Sequence, residues 1–228
     1  MTRYAIAAPE RPSVAIAGAE ARFPVRRIFC VGRNYAEHVR EMGNDEREPP
    51  FFFTKPADAL VGDGATVPYP PATADLHHEA ELVAAIGLGG AAIPEADALS
   101  HVWGYAPGND LTRRDLQAEA KSMGRPWDMA KGFDASAVCG ALVPAARLGH
   151  PAAGRILCTV NGAPRQDGDL SEMIWPLPAI LAHLSRLVTL APGDLIYTGT
   201  PAGVGPLAPG ETCSVEIRGI GRVTTQIA

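Results

Sequence analysis

The sequence has no run of apolar residues near the ~18 that a membrane-spanning helix needs, so we expect no membrane span. It also lacks an excess of positive charge: 20 Lys and Arg against 25 Asp and Glu give a net charge of -5, which argues against nucleic acid as a partner. Cysteine is sparse, with four residues and no CxxC pair, and the N-terminus has no long apolar signal core. These absences predict a protein of the reducing cytoplasm.

Turn-forming residues are abundant instead. The 228 residues include 24 glycines and 21 prolines, which is below the share typical of disorder and predicts many turns between short strands. Strands and helices of unequal length alternate without a βαβ period, so we predict an α+β fold with mixed, coiled sheets. We expect residues 1–25 to form a leader segment packed on a main domain of residues 26–228, with a break in the chain at Phe23-Pro24.

Hydrophobic periodicity predicts the main elements. Strands are predicted over residues 27–31, 51–54, 79–86, 102–106 and 195–198, and a hairpin pairs residues 214–218 with residues 222–227. Helices are predicted over residues 35–42, 111–120 and 177–190, the last with a clear apolar stripe. Residues 62–73 contain so many turn formers that we expect a loop there.

Carboxylates suggest a metal site. Glu79 and Glu81 are separated by one residue of a predicted strand, so their Cα atoms lie roughly 6.5–7 Å apart on one face. Two like charges in an apolar setting require compensation, and oxygen ligands favour Mg²⁺ or Mn²⁺, with Ca²⁺ as a further choice. Asp110, at the end of a predicted strand, could add a third ligand. The spacing alone leaves open a solvated face of an edge strand for the glutamates and a helix N-cap for Asp110.

Three further features suggest chemistry on a bound substrate. His38 and Glu41 are three residues apart on a predicted helix and could form a general-base dyad or a plain surface pair. Of the 20 cationic residues only three are lysines, and Lys55 and Lys131 lie beside aromatic residues, where a buried ammonium group could stabilise an oxyanion. Lys121 is expected to face the solvent. Residues 198–206 combine glycines with two threonines, which suits either a carboxylate cradle or a simple turn.

Several segments together resemble the fumarylacetoacetate hydrolase superfamily, in the order in which that superfamily has them. They are Gly32-Arg33-Asn34-Tyr35 with His38 and Glu41, Phe53-Thr54-Lys55-Pro56, His78-Glu79-Ala80-Glu81-Leu82, Asn109-Asp110-Leu111-Thr112 with Arg114 and Gln117, residues 127–133, and residues 198–206.

The resemblance implies a β-roll with peripheral helices, a homodimer, and a Mg²⁺ or Mn²⁺ ion. It implies three sets of site residues: metal ligands Glu79, Glu81 and Asp110; catalytic residues His38, Glu41 and Lys131, the first two in a lid; and substrate contacts Arg33, Lys55, Arg114, Gln117 and Thr200.

Residues 50–58 look most like fumarylpyruvate hydrolase of the gentisate route. The expected activity is therefore metal-dependent hydrolysis of the carbon–carbon bond of a 2,4-diketo acid, which converts fumarylpyruvate to fumarate and pyruvate. The same site could instead hydrolyse another acylpyruvate, decarboxylate oxaloacetate or isomerise a dienedioate. A hypothesis from another class is a dicarboxylate-binding module without catalysis, which would be stabilised by its ligand and release no product.

Overall fold

The computed structural model describes residues 3–35 and 48–228. Its strands, in chain order, are β1 (Ser13–Ala15), β2 (Arg22–Pro24), β3 (Arg27–Gly32), β4 (Phe51–Lys55), β5 (Leu60–Val61), β6 (Thr66–Val67), β7 (Leu76–His78), β8 (Ala80–Ile86), β9 (Val102–Asp110), β10 (Thr112–Arg113), β11 (Ala137–Cys139), β12 (Val143–Pro144), β13 (Arg155–Val160), β14 (Ala163–Asp169), β15 (Asp194–Tyr197), β16 (Gly205–Pro206), β17 (Thr212–Ile217) and β18 (Gly221–Ile227).

Among the described residues, helices are fewer than strands. The α-helices there are α1 (Arg114–Ser122), α2 (Asp128–Lys131), α3 (Ala145–Leu148) and α4 (Leu177–Leu187), and 3-10 turns cover Ala57–Ala59, Glu95–His101 and Leu170–Glu172. Of the helix predicted over residues 35–42, residues 36–42 lie outside the described residues, and Tyr35 forms an isolated antiparallel β-bridge with Met173. No helix in the described part of the chain is long and apolar enough to cross a membrane.

The largest sheet places β8 at its centre. Within the described ranges its strand order is β4-β3-β15-β8-β9-β11-β5. Strand β12 pairs with the N-terminal part of β9. Every residue of β8 is buried because one face packs into a core with Leu82, Ala84 and Ile86, and the other face packs into a second core with Val83 and Ala85. A strand covered on both faces has no polar face, which explains its nearly continuous apolar sequence.

A second sheet covers the first. Its order is β14-β13-β17-β18-β6, and its residues Ile156, Cys158 and Val215 share one apolar core with Leu82 and Ile86 of β8. Helix α4 adds its predicted apolar stripe to the same core, and burial of each such leucine contributes about 1.5–3 kcal/mol. The curled, strand-rich α+β architecture predicted from the sequence is confirmed.

The N-terminal residues form a small hairpin. Strands β1 and β2 pair antiparallel, and Val14, Phe23 and Val25 are buried in the second core. Strand β2 ends at Pro24 and β3 begins at Arg27, so an element ends at the predicted break. The division into a leader of residues 1–25 and a main domain of residues 26–228 stays a prediction.

Some predicted boundaries shift, in several cases because distant segments pair. The strand predicted from Glu79 begins at Ala80. Helix α1 begins at Arg114 rather than at Leu111, because Thr112 and Arg113 first pair with β7 as strand β10. Helix α4 ends at Leu187, after which Val188 is extended. The predicted loop over residues 62–73 contains β6, which pairs with the end of β18.

Candidate active site

Three acidic side chains converge where β8 and β9 meet. The amide N of Asp110 donates to the carbonyl O of Glu79 at 2.9 Å, and the amide N of Glu79 donates to Oδ1 of Asn109 at 2.8 Å. This pairing sets Glu79 in the gap between β7 and β8, opposite Asp110. Carboxylate oxygens of Glu79, Glu81 and Asp110 then lie within 4.8 Å of one another.

All three carboxylates are buried. The exposed fractions are 5% for Glu79, 1% for Glu81 and 0% for Asp110, which excludes a solvated edge-strand face for the two glutamates. The N-cap of helix α1 is Arg113, which makes no side-chain capping bond, so the N-cap alternative for Asp110 is wrong. The carboxylates therefore form one enclosed acidic cluster.

Two buried lysines neutralise part of this cluster. Nζ of Lys131 donates to Oε2 of Glu79 at 2.7 Å, to Oδ2 of Asp110 at 2.9 Å and to Oγ1 of Thr112 at 2.7 Å. Nζ of Lys55 lies 2.7 Å from Oδ1 of Asp110 and also donates to the carbonyl groups of Leu111 and Lys131. Burial acts to lower the pKa of Lys131, but the charges of Asp110 and Glu79 outweigh it and hold that pKa above its ordinary value.

Glu81 lacks such a cation among the described residues. Its Oε2 accepts a hydrogen bond from the amide N of Gly199 at 2.8 Å. Burial first, and then the charges of Asp110 and Glu79, raise the pKa of Glu81 well above its ordinary value. A buried carboxyl group with this environment ionises readily only beside an added cation.

The cluster therefore fits a divalent metal. Its donors are all carboxylate oxygens, which suit Mg²⁺, Mn²⁺ or Ca²⁺ better than a softer ion. Their spacing lets each residue offer one oxygen to a common point, and a cation there would balance the charge of Glu81.

Arg114 and Gln117 form a second bonded group beside the cluster. Nη2 of Arg114 donates to Oε1 of Glu79 at 2.5 Å, Nη1 donates to Oε1 of Gln117 at 2.5 Å, and Nε donates to Nδ1 of His77 at 3.3 Å. His77 must accept at Nδ1 and carry its proton on Nε2, which lies 2.9 Å from Oδ1 of Asp75. The guanidinium group is held from three sides and faces the carboxylates.

A cavity of about 490 Å³ opens onto this group. Of the predicted site residues, Arg33, Glu79, Glu81, Arg114, Gln117, Lys131 and Thr200 line it. Its apolar wall includes Phe53 and Trp127, whose rings meet edge to face at 5.8 Å. One end of the cavity carries charged groups of both signs and the other end is apolar. This combination suits a small anionic ligand with a carbon chain.

Arg33 and Lys55 occupy different positions relative to the cavity. Nη1 of Arg33, a lining residue, lies 3.3 Å from Oε2 of Glu48, and its guanidinium group stacks 5.4 Å from the centroid of the Phe51 ring. Lys55 lies behind Asp110 and is absent from the lining. The contacts of Lys55 fit a residue that acts on the ligand through Asp110 better than one that touches the ligand.

Lys121 is exposed, as predicted, and it also borders the cavity. Lys121 and Ser122 line it together with Arg114, Gln117 and Ala118 of the same helix. Positions separated by three, four and seven residues share one face of a helix, so this face of α1 forms one wall. The catalytic candidates His38 and Glu41 lie outside the described residues, and their roles stay predictions.

The loop of residues 198–206 forms part of the wall of the same cavity. Oγ1 of Thr198 donates to the carbonyl O of Leu82 at 2.9 Å, and the amide of Gly199 is used by Glu81. Gly199 has φ +98°, and a Cβ there would lie 2.7 Å from Cβ of Asn34, so the turn requires glycine. Thr200 is the loop residue that lines the cavity.

Two residues that hydrogen-bond to the site were not among the predicted site residues. Asn109 positions Glu79, and Gln166, fully buried on β14, bonds to Thr200. The Asn161-Gly162 pair, with both φ angles positive, marks the hairpin that carries Gln166. That signal predicts the hairpin, whereas burial of the glutamine depends on contacts with two distant segments.

The chain is similar to known proteins over most of its length. The family model described as "Fumarylacetoacetate (FAA) hydrolase C-terminal" matches residues 27–228. Fumarylpyruvate hydrolase from Pseudomonas aeruginosa, solved in complex with Mn²⁺ and pyruvate, is 48% identical with a TM-score of 0.97, and the match covers 99% of each chain. A candidate fumarylpyruvate hydrolase from Burkholderia cenocepacia is 60% identical with a TM-score of 0.94, over 100% of this chain and 96% of that one. Mitochondrial oxaloacetate tautomerase FAHD1 from Mus musculus is 44% identical over 195 residues, 86% of this chain and 88% of that protein.

Proposed function

The chain belongs to the fumarylacetoacetate hydrolase family of metal-dependent enzymes acting on carbon–carbon bonds, and from that premise we propose that it hydrolyses fumarylpyruvate to fumarate and pyruvate. The observation that carries the proposal is the convergence of three buried carboxylates at the end of a cavity that also presents Lys131, Arg114 and Lys121. The similar Pseudomonas aeruginosa enzyme, solved with Mn²⁺ and pyruvate, supports it.

Glu79, Glu81 and Asp110 would hold the metal. A bound Mg²⁺ ion, or Mn²⁺ or Ca²⁺ in its place, would supply Lewis-acid chemistry to the pyruvoyl end of the substrate. The protein residues around the cavity then carry the remaining steps.

Water activation is assigned to His38. We propose that its imidazole group, oriented by Glu41, takes a proton from the water that adds to the distal carbonyl carbon. Lys131, with the amide group of Gln117, stabilises the oxyanion that forms there, because a buried ammonium group acts through a low dielectric. The bond between this carbon and the methylene carbon of the pyruvate part then breaks, and the pyruvate enolate takes up the proton held by His38 to give pyruvate.

The His38→Ala variant should separate hydrolysis from metal binding. We expect kcat for fumarylpyruvate to fall at least about 100-fold because general-base catalysis typically contributes 10²–10⁴. Mn²⁺ affinity, measured by isothermal titration calorimetry, should change little because imidazole is not among the proposed ligands. Unchanged kcat in this variant would remove His38 from the reaction.

We assign the distal carboxylate of fumarylpyruvate to Lys121. Lys131 and Arg114 pair with Glu79, and Arg33 pairs with Glu48, whereas Lys121 forms no ion pair with any described residue. Arg114 and Lys121 are seven residues apart on one helix, so the two positions are separated by about 10 Å along its axis. This distance is comparable with the length of an extended seven-carbon dicarboxylate.

Lys121→Met should therefore change substrate preference. We expect KM for fumarylpyruvate to rise about tenfold, as for loss of one hydrogen bond to a charged group, while KM for acetylpyruvate stays the same. Arg125→Met is the matched control, since Arg125 is exposed, pairs loosely with Glu119 at 3.9 Å and does not line the cavity. Equal effects of Lys121→Met on both substrates would contradict the assignment.

A second candidate activity is the conversion of oxaloacetate. The 44% identity to the mouse protein named oxaloacetate tautomerase favours tautomerisation or decarboxylation at the same site. One assay panel with fumarylpyruvate, acetylpyruvate and oxaloacetate, followed by ultraviolet absorbance and by pyruvate release, ranks the substrates by kcat/KM. The proposal expects fumarylpyruvate first; a leading value for oxaloacetate would overturn it, and ligand binding without product would indicate a binding module.

The remaining assignments are proposals as well. We place the enzyme in the gentisate route and in the cytoplasm, where a reducing environment suits four buried, unbridged cysteines. We also propose a homodimer, which analytical ultracentrifugation would distinguish from a monomer.

A further inference from the structure

Gln166 links three segments of the protein through one amide group. Its Oε1 accepts from the amide N of Ala80 at 3.0 Å and lies 2.9 Å from Nδ1 of His78. Its Nε2 donates to Oγ1 of Thr200 at 2.7 Å and to the carbonyl O of Pro201 at 2.8 Å. The side chain is fully buried, and each polar atom of its amide group has two partners.

These partners fix which way the amide group points. The backbone N–H of Ala80 can only donate, so it must face the oxygen of Gln166. The carbonyl O of Pro201 can only accept, so it must face the nitrogen. Both hydrogens of Nε2 are then in use, one on Pro201 and one on Thr200.

The same logic sets the direction of the Thr200 hydroxyl group. Since Oγ1 of Thr200 accepts the hydrogen of Gln166, its own hydrogen must point elsewhere. Thr200 lines the cavity beside Glu79, Glu81 and Lys131, and no described residue accepts a hydrogen bond from its hydroxyl group. The hydroxyl group is therefore ready to donate to an oxygen atom of a ligand in the cavity.

Packing holds the loop in place independently of this bond. A Cβ on Gly203 would lie 2.5 Å from the carbonyl O of Arg165, and a Cβ on Gly168 would lie 2.8 Å from Cβ of Pro201. The loop thus packs directly on β14 at two points flanking Gln166, through the backbone of Gly203 and the ring of Pro201. Removal of the amide group should change the direction of the hydroxyl group more than the position of the loop.

We propose that Gln166 is a positioning residue that turns the Thr200 hydroxyl group into a fixed hydrogen-bond donor for the carboxylate group of a 2-oxo acid. This inference rests on the proposed function only for the class of ligand. Pyruvate carries that carboxylate group and is the probe of choice, because its binding can be measured without turnover.

The test is a double-mutant cycle on pyruvate affinity, measured by calorimetry with the Mn²⁺-loaded enzyme. We expect Gln166→Met and Thr200→Val each to weaken pyruvate binding about tenfold, and the double variant to bind no more weakly than Thr200→Val alone. Thr200→Ser keeps the hydroxyl group and should retain wild-type affinity. In turnover, Gln166→Met should raise KM about tenfold and leave kcat within about threefold, a split that general damage to the fold would not give.

Two results would overturn the inference: wild-type affinity in Gln166→Met, or losses that multiply in the double variant. Neutron diffraction from deuterium-exchanged wild-type crystals gives the same answer without any substitution, should Gln166→Met fail to fold. The deuteron on Oγ1 of Thr200 should point into the cavity, and a deuteron pointing at Gln166 would refute the proposal. Failure of the proposed function would be seen separately, as absence of fumarylpyruvate turnover by the wild type.

Discussion

Glu81→Gln is expected to abolish activity and metal binding together. The substitution keeps the size of the side chain but removes the charge that a divalent cation at this site needs, so kcat should fall below about 1% of wild type. Mn²⁺ affinity should fall by at least about 100-fold, measured by calorimetry.

Thermal unfolding adds an independent readout for Glu81. Saturating Mn²⁺ should raise the Tm of the wild type, because a ligand that binds only the folded state stabilises it by about 2.7 kcal/mol at 100 times its Kd. Glu81→Gln should show no such rise. Glu216→Gln, a substitution on an exposed position of β17, is the matched control and should respond to Mn²⁺ as the wild type does. A variant at Glu81 that keeps both turnover and the Mn²⁺ response would contradict the assignment.

Lys131→Met is expected to have a comparable effect for a different reason. Lys131 is 2% exposed and bonds to both Glu79 and Asp110, so its loss leaves two buried carboxylates with less compensation. Removal of one partner of a buried ion pair costs about 3–5 kcal/mol of unfolding free energy, which urea denaturation would detect. Loss of oxyanion stabilisation should lower kcat about 10²–10³-fold.

Added Mn²⁺ distinguishes the two roles of Lys131. A cation beside Glu79 and Asp110 should restore part of the lost stability of Lys131→Met, because it replaces the missing positive charge. It should not restore turnover, since the oxyanion would still lack the ammonium charge of Lys131 beside it. Lys121→Met, at an exposed lysine, should change stability by less than about 0.5 kcal/mol. Full recovery of kcat with Mn²⁺ would contradict a catalytic role for Lys131.

Local patterns were sufficient to predict the short-range part of the fold. The strand over residues 27–31 and the hairpin over residues 214–227 appear where apolar residues and glycine turns indicated them. The apolar stripe of residues 177–190 likewise forms helix α4. Each of these elements is specified by residues within one segment, so the sequence alone predicts it.

The element boundaries and side-chain positions that the sequence did not predict depend on contacts between distant segments. Glu79 leaves the strand because the side chain of Asn109 takes its N–H group, and α1 starts late because Thr112 and Arg113 pair with β7. Lys121 is exposed as predicted, but its place at the cavity follows from the face that α1 presents there, which no local charge pattern shows. Spacing predicted that Glu79 and Glu81 share one face, but convergence with Asp110 required the antiparallel pairing of β8 and β9.

The carboxylate cluster of Glu79, Glu81 and Asp110 is the feature on which the proposed function depends. Anomalous diffraction at the manganese absorption edge, from crystals grown with Mn²⁺, tests it most directly. We predict one strong peak at the end of the cavity, bonded to one carboxylate oxygen from each of the three residues. A map with no peak among these side chains, or with the ion held elsewhere, would contradict the metal centre.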